Sequence, residues 1–358
     1  MKIYQKYIIK EFIFLALKIS FVFCILGFVM GILEELNFFS EFDVKYYFPI
    51  FLFLLNLPSI IYEIFPFIFL ISSQLIFLNL LERGELNTFK NHGLTNFKLI
   101  KLIALISFLS GLFIITLFYN FSASLQFKYL DIKKKYTNDN KYLATITENG
   151  LWIKDENDKI INFINAKNFT LNSLENVDII QLDKDFNFIK NIKTEKAFIK
   201  NNKWILKNSK IIDNSNVIFE EPEIFFYSNF NYEDISGLFS NLTSLTVWKL
   251  IELKRDYLSI KYSTTEIDYH FQKIMAYPFL ITIISVLSAT LMLNIGHQKQ
   301  KLYLIVFGIM LSVIIYYINF FFGTMGINEK IPLTISVWTP IFILFIISLI
   351  GLVRINEK

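Results

Sequence analysis

The chain alternates in texture on two length scales. Near both ends, unbroken apolar blocks are separated by short polar turns; between about residues 122 and 274, apolar and polar residues interleave at short range. Six apolar blocks can be drawn: about Phe12–Leu36, Phe48–Leu81, Leu99–Phe121, Met275–Ile295, Leu302–Phe322 and Leu333–Val353. Each reaches the roughly 20 residues that a helix needs to cross a bilayer. Each is apolar on all faces, which predicts a membrane span rather than an amphipathic helix on a soluble core. The second block is long and carries Pro49, Pro58 and Pro66, so it is expected to kink or to begin outside the bilayer.

The middle region reads as short strands: "GLWIKD" (150–155), "KIINFIN" (159–165), "VDIIQLD" (177–183), "FNFIKNIK" (186–193), "KAFIK" (196–200) and "KWILKNSKIID" (203–213). Their separators "ENDK", "DKD", "KNNK" and "DNSN" have turn chemistry. Repeated strands without an intervening helical pattern predict a β-sandwich or jelly roll. After about Glu233 the period lengthens. In "TSLTVWKLIELKRDYLSIKYS" (243–263), Leu245, Trp248, Ile251 and Leu258 fall near helical spacing, and "TEIDYHFQKIMAYP" (265–278) leads into the fourth span. The expected fold class is an α-helical membrane protein with six transmembrane helices, three on either side of an inserted all-β jellyroll-like domain. The expected divisions are 1–122 (spans one to three, with a turn at 82–94), 123–235 (β domain), 236–274 (helical connector) and 275–358 (spans four to six).

Composition agrees. Of 358 residues, 54% are hydrophobic and 18% charged, and mean hydropathy is +0.47; an ordinary soluble domain is about a quarter charged. The one cysteine, Cys24, lies in an apolar run, which excludes a disulfide within the chain and reads as packing. The formal charge of +4 says less than its placement. If the N-terminus is cytoplasmic, that side carries Lys2, Lys6, Lys10, Arg83, Lys90, Lys98, Lys101, Lys299, Lys301, Arg354 and Lys358. The short loops opposite carry only Lys45 and Lys330. The positive-inside rule then places both termini and the 82–98 turn in the cytoplasm and the 122–274 segment outside. No small-residue cleavage site follows the first apolar run, which is too long for a signal h-region, so it reads as an uncleaved helix.

Familiar chemical motifs are missing. The sequence has no Walker A loop, no His-Glu-x-x-His or Cys-x-x-Cys pair and no Gly-x-Ser-x-Gly elbow. His92, His270 and His297 sit apart near membrane boundaries and read as solvated or interfacial. Ionisable residues within the spans are few: Lys18 can snorkel, and Glu34 and Glu35 close the first span. An ion-driven carrier normally needs more, so energy for transport is expected from a partner. Gly27 and Gly31 form a Gly-x-x-x-Gly, a spacing that admits a close helix contact. The stretch "LLERGELNTFKNHGLTN" (80–96) is the most distinctive. It breaks two apolar blocks with a short charged helix closed by Gly93, on which Leu86 and Phe89 would be apolar anchors and Glu85 a charged contact. The plain alternative is a positive-inside loop with a local Arg83–Glu85 pair.

"IFPF" (64–67), "ERGEL" (82–86), "HGL" (92–94), "GLWIKD" (150–155), "YYINFFFG" (316–323), "IP" (331–332) and Pro340 occur in an order and spacing that resemble the LptF/LptG permease family of the lipopolysaccharide export ABC transporter, with the last two spans closest to LptG. The resemblance covers nearly the whole chain. It implies a second, LptF-like permease, an LptB-like ATPase dimer on the cytoplasmic face, an LptC-like membrane-anchored bridge protein and lipopolysaccharide as cargo, with no nucleic-acid partner. It implies no cofactor in this chain, ATP and Mg being bound by the ATPase. Carried over by residue, Glu85 matches the acidic residue of the coupling helix, Arg83 the basic residue before it, and Gly93 the glycine that ends it. Where LptG chains carry a cavity-side lysine near the outer end of span one, this chain has Gly31; with Glu34 and the possible substitute Lys45 it is the expected cavity or gate position. Two other readings remain open at this point: the permease of another ABC-type lipid or lipoprotein exporter, and a membrane-anchored scaffold or binding module.

Overall fold

Inside hydrocarbon every backbone N–H and C=O must find a partner within the protein, so apolar blocks of this length become helices. The computed structural model describes residues 2–134, 136, 144–147, 150–156, 160–170, 173–200, 203–213, 218–230, 242–259, 263–295 and 301–356. Its helices are α1 (Ile3–Phe38), α2 (Tyr47–Glu82), α3 (Glu85–Asn91), α4 (Asn96–Phe113), α5 (Tyr119–Lys134), α6 (Val247–Ser259), α7 (Thr265–Ile295), α8 (Lys301–Ile327) and α9 (Leu333–Asn356). Among the described residues, six helical segments are long and apolar enough to cross a membrane, three before the β region and three after it. His297, Lys299 and Lys358 fall outside the described residues, as do most of the "ENDK", "KNNK" and "DNSN" separators.

One helical expectation changes. α2 is one helix of 36 residues that contains Pro58 and Pro66. The third span extends well beyond Phe121: α4 passes through a π-helical turn at Ile114–Phe118 straight into α5. The chain forms two compact units, Met1–Tyr129 with Asp268–Lys358, and Leu130–Ile267. These divisions lie inside α5 and α7, because the helices outlast their apolar stretches.

The helical unit packs around buried residues of α1, α2, α4 and α7, including Ile8, Phe12, Phe77, Ile103 and Ile281. α1 lies along α2, and at Gly31 a methyl group would overlap the Phe53 ring. Gly27, one turn earlier, faces Leu57 and Ile60 at ordinary contact distance.

The second unit contains one antiparallel sheet in which the strands follow chain order: β1 (Ala144–Thr147), β2 (Gly150–Glu156), β3 (Ile160–Thr170), β4 (Ser173–Asp183), β5 (Phe188–Lys200), β6 (Lys203–Asp213) and β7 (Ile218–Tyr227). This is the inserted all-β, jellyroll-like domain. "FNFIKNIK" and "KAFIK", expected as two strands, are one, since β5 pairs continuously with β6 from Lys190 to Lys200, skipping only Glu195. The sequence reading missed β1 and β7; β7 carries Pro222, tolerable because it has a neighbour only on its β6 side among the described strands. The core is anchored by Trp204, fully buried, whose indole N–H donates to the Phe230 carbonyl at 2.9 Å. In α6 the buried residues are Leu250 and Tyr257, seven apart and so on one face. Trp248 and Leu258 are exposed.

Candidate functional site

The turn between α2 and α4 is built by two glycines. Gly84 (φ +70°) and Gly93 (φ +76°) are the only glycines with positive φ among the described residues. Residues with a Cβ rarely adopt this conformation, at a cost of about 1–2 kcal/mol. Gly84 stops α2 and redirects the chain into α3. At the far end, the N–H of Gly93 donates to the Lys90 carbonyl (2.9 Å) and that of Leu94 to the Phe89 carbonyl (3.0 Å). That pair of bonds is a Schellman closure. Thr95 then accepts from the Lys98 N–H (3.3 Å) and caps the start of α4.

Side chains fix how this short helix sits. Leu86 is 2% exposed and belongs to the same apolar core as Ile8, Phe12 and Leu99; Phe89 packs against it. This corrects the expectation that Leu86 is an anchor for a separate protein: it is spent on holding α3 to its own bundle. Glu85 also turns toward α1. The Tyr7 hydroxyl donates to Glu85 Oε2 at 2.8 Å, and Arg83 Nη1 lies 3.9 Å from Glu85 Oε1. The same Arg83 nitrogen reaches Glu11 Oε1 and the Tyr7 hydroxyl, both at 3.3 Å. Arg83 is more than half exposed, so the ionic part of the network is screened and the Tyr7–Glu85 hydrogen bond is its more specific element. The exposed face of α3 consists of Asn87, Thr88, Lys90 and Asn91, continued by His92. The sequence reading had not singled out these polar residues; the helical positions between Leu86 and Phe89 were the available signal.

Three residues were expected to mark a cavity or gate at the other end of the spans. Gly31 is covered by Phe53, Glu34 is exposed, and Lys45 is exposed with its ammonium 5.8 Å from the Tyr47 ring centre. The neighbouring Glu35 is instead buried and accepts from the Tyr129 hydroxyl at 2.5 Å.

A third constellation ties α2, α5 and α7 together. Pro66 has no N–H, so the Tyr62 carbonyl one turn before it loses its helical donor. The Tyr277 hydroxyl takes that place at 2.6 Å, while the two tyrosine rings stack 4.9 Å apart. Tyr119, just after the π turn, packs on Tyr62 and shares a 2.8 Å hydrogen bond with His270 Nε2. His270, expected to be solvated or interfacial, is thus buried from solvent and partnered. Beside this cluster α2, α7, α8 and α9 line a cavity that carries Glu63 and Lys273.

Six spans divided three and three by an inserted β domain, with a glycine-bounded helix in the turn between the second and third, define a multi-pass membrane protein. The family model described as "Lipopolysaccharide export system permease LptF/LptG" matches residues 6–354. The chain belongs to that family, and so is an inner-membrane permease subunit of the lipopolysaccharide export system. The family model serves both LptF and LptG and does not separate them. No match is found among curated proteins.

Proposed function

We propose that this chain is the LptG-type permease subunit that takes lipopolysaccharide from the inner membrane and passes it toward a periplasmic bridge, powered by a separate LptB-like ATPase dimer. In this reading both termini and α3 are cytoplasmic and the β domain is periplasmic, as the distribution of Lys and Arg at the span ends supports. An LptF-like permease completes the membrane cavity and an LptC-like protein receives the lipid.

One observation carries the coupling assignment: α3 is held rigidly on its inner side and polar on its outer side. Gly84 and Gly93 set its ends, Leu86 pins it to the core, and Tyr7–Glu85 ties it to α1. A push on the face formed by Asn87, Thr88, Lys90 and Asn91 therefore moves α1, α2 and α4 together. Glu85 stands at the edge of that face, where it serves both the α1 contact and the ATPase. Burying a charged pair at such a contact and then truncating one partner typically costs about 2–5 kcal/mol of binding.

The test is co-purification of the full complex in detergent, with identification of the proteins and lipid retained. The unaltered chain is expected to bring down an ATPase, a second six-span permease and lipopolysaccharide. Glu85→Lys and Lys90→Glu are expected to leave the chain inserted but to release the ATPase. Undiminished ATPase recovery with both variants would remove α3 as the coupling element.

A further inference from the structure

α6 has apolar residues on two sides and buries only one of them. Leu250 and Tyr257 are turned into the protein. At 3.6 residues per turn, Trp248, Ile251, Arg255 and Leu258 share about a quarter of the helix circumference, well away from that buried pair. Trp248 is 74% exposed and Leu258 59%, Arg255 is exposed and Ile251 half-buried. Lys249 and Glu252, both exposed, lie to one side of this arc. Apolar residues scattered singly over a surface need no explanation. Here the helix has already given Leu250 and Tyr257 to the core, and still presents Trp248, Ile251 and Leu258 along about 15 Å of one outer side.

The covalent chain limits what this side can meet. Residues 260–264 separate the end of α6 at Ser259 from the start of α7 at Thr265, and α7 is long and apolar enough to span a membrane. Its first part, Thr265–Ile274, carries Glu266, Asp268, His270 and Lys273 and precedes the apolar run that begins at Met275. At 1.5 Å per residue that part takes the start of α7 at most about 15 Å beyond the hydrocarbon. The chain from Ser259 to Thr265 spans up to about 20 Å when extended, so the headgroup layer is within reach of α6. The side chains fit that layer. A Trp ring favours the membrane–water interface, and Ile and Leu can enter the acyl boundary. Arg255, in the middle of the arc, can lay its stem along them and direct its guanidinium at a phosphate. Apolar residues with Arg on one side are the pattern of a helix that lies in the interface plane. In a dry contact with another protein, Arg255 would need a buried carboxylate of its own; a phospholipid layer supplies a phosphate beside every acyl chain.

We propose that α6 is an interfacial anchor: it lies on the membrane surface at the side where α7 begins, with Trp248, Ile251 and Leu258 inserted among the phospholipids and Arg255 on a lipid phosphate. The ligand is the bilayer surface, not the exported lipid. The inference needs only that α7 spans the membrane and does not rest on the coupling reading, since an ATPase contact at α3 is assayed separately.

The experiment uses the full chain with Cys24→Ser and one nitroxide-labelled cysteine, reconstituted in nanodiscs of phosphatidylethanolamine and phosphatidylglycerol. Collisions of the label with oxygen, which concentrates in hydrocarbon, are compared with collisions with a water-soluble nickel chelate. Labels at Ile251→Cys and Leu258→Cys should meet oxygen more than nickel, and a label at Lys249→Cys should show the reverse order. Adding Arg255→Glu to the Leu258→Cys protein should raise nickel collisions at that label while the β-sheet circular dichroism stays unchanged. Trp248→Ser should act in the same direction. Three outcomes each overturn the assignment. Nickel access at 251 and 258 equal to that at 249 would make this side of α6 a solvated surface. Exclusion of both reagents would mean that protein covers it. No response to either Arg255→Glu or Trp248→Ser would mean that these side chains do not hold the helix on lipid.

Discussion

Replacing Tyr277 by Phe deletes a single oxygen and leaves the stacked ring in place. That oxygen is the hydrogen-bond donor to the Tyr62 carbonyl, at 2.6 Å, in a setting where Tyr277 is 5% exposed. An orphaned buried carbonyl costs about 1–3 kcal/mol. Hydrogen bonds between membrane helices average nearer 0.6 kcal/mol, with a maximum of about 1.7, because the separated helices find other partners. Here the separated α2 gains less of that relief, since Pro66 deprives the same carbonyl of its helical donor. The upper part of the membrane range is therefore expected, about 1.5 kcal/mol, or roughly a tenfold shift in the unfolding equilibrium. Pro66→Ala restores an N–H to the Tyr62 carbonyl. In that background Tyr277→Phe should cost about 0.5 kcal/mol or less, leaving a coupling of about 1 kcal/mol between the two positions. Denaturant titration of the four proteins in mixed micelles, followed by helical circular dichroism, measures the cycle. If the two substitutions are additive, Tyr277 is not replacing the missing proline N–H.

Three further outcomes are expected. Gly93→Ala has open space around it but an unfavourable φ, so it should destabilise the turn by about 1–2 kcal/mol; hydrogen exchange of residues 85–94 should quicken in Gly93→Ala and much less in Gly93→Asn. Tyr7→Phe should free α3 from α1 and accelerate exchange at Glu85–Asn91 while leaving the β domain unchanged; no change there would show that Leu86 alone holds the helix. The β domain should respond to acid through two opposed carboxyls. Asp183 accepts from Asn187 and the Asp185 N–H, which hold its pKa below the ordinary value, so its contribution is present above about pH 4 and disappears as pH falls through the folded-state value. Asp155, fully buried, is held above the ordinary value by desolvation, against donors from Ser228 and Asn229; its contribution is fully present below the ordinary value and is lost as pH rises through the folded-state value. Urea midpoints of the β-sheet signal for the intact chain and Asp183→Asn should therefore differ at about pH 5, with the variant lower, and converge at about pH 2.5, while Asp155→Asn should gain on the intact chain as pH rises.

The spans, the interleaved strands and the closure at Gly93 were legible in the sequence. Each depends on a property summed over a local window: transfer of a long apolar segment, alternation of short strands, or the backbone freedom of one glycine. What a side chain faces depends on distant parts of the chain. Leu86 could be seen as apolar, but only packing against α1 and α4 decided that it turns inward. Trp248 and Leu250 are both apolar helical residues, and only the fold exposes the first and buries the second. Glu85 was marked as a charged contact, yet its partner Tyr7 lies 78 positions away; Tyr277 and Tyr62 are 215 apart. Glu63 and Lys273 are isolated charges in the sequence and line one cavity because α2 and α7 run side by side in the same direction. Hydrophobicity, being local and additive, determined which segments are helices in a membrane; hydrogen bonds and charge pairs, being specific and long-range in sequence, were decided only by the tertiary structure.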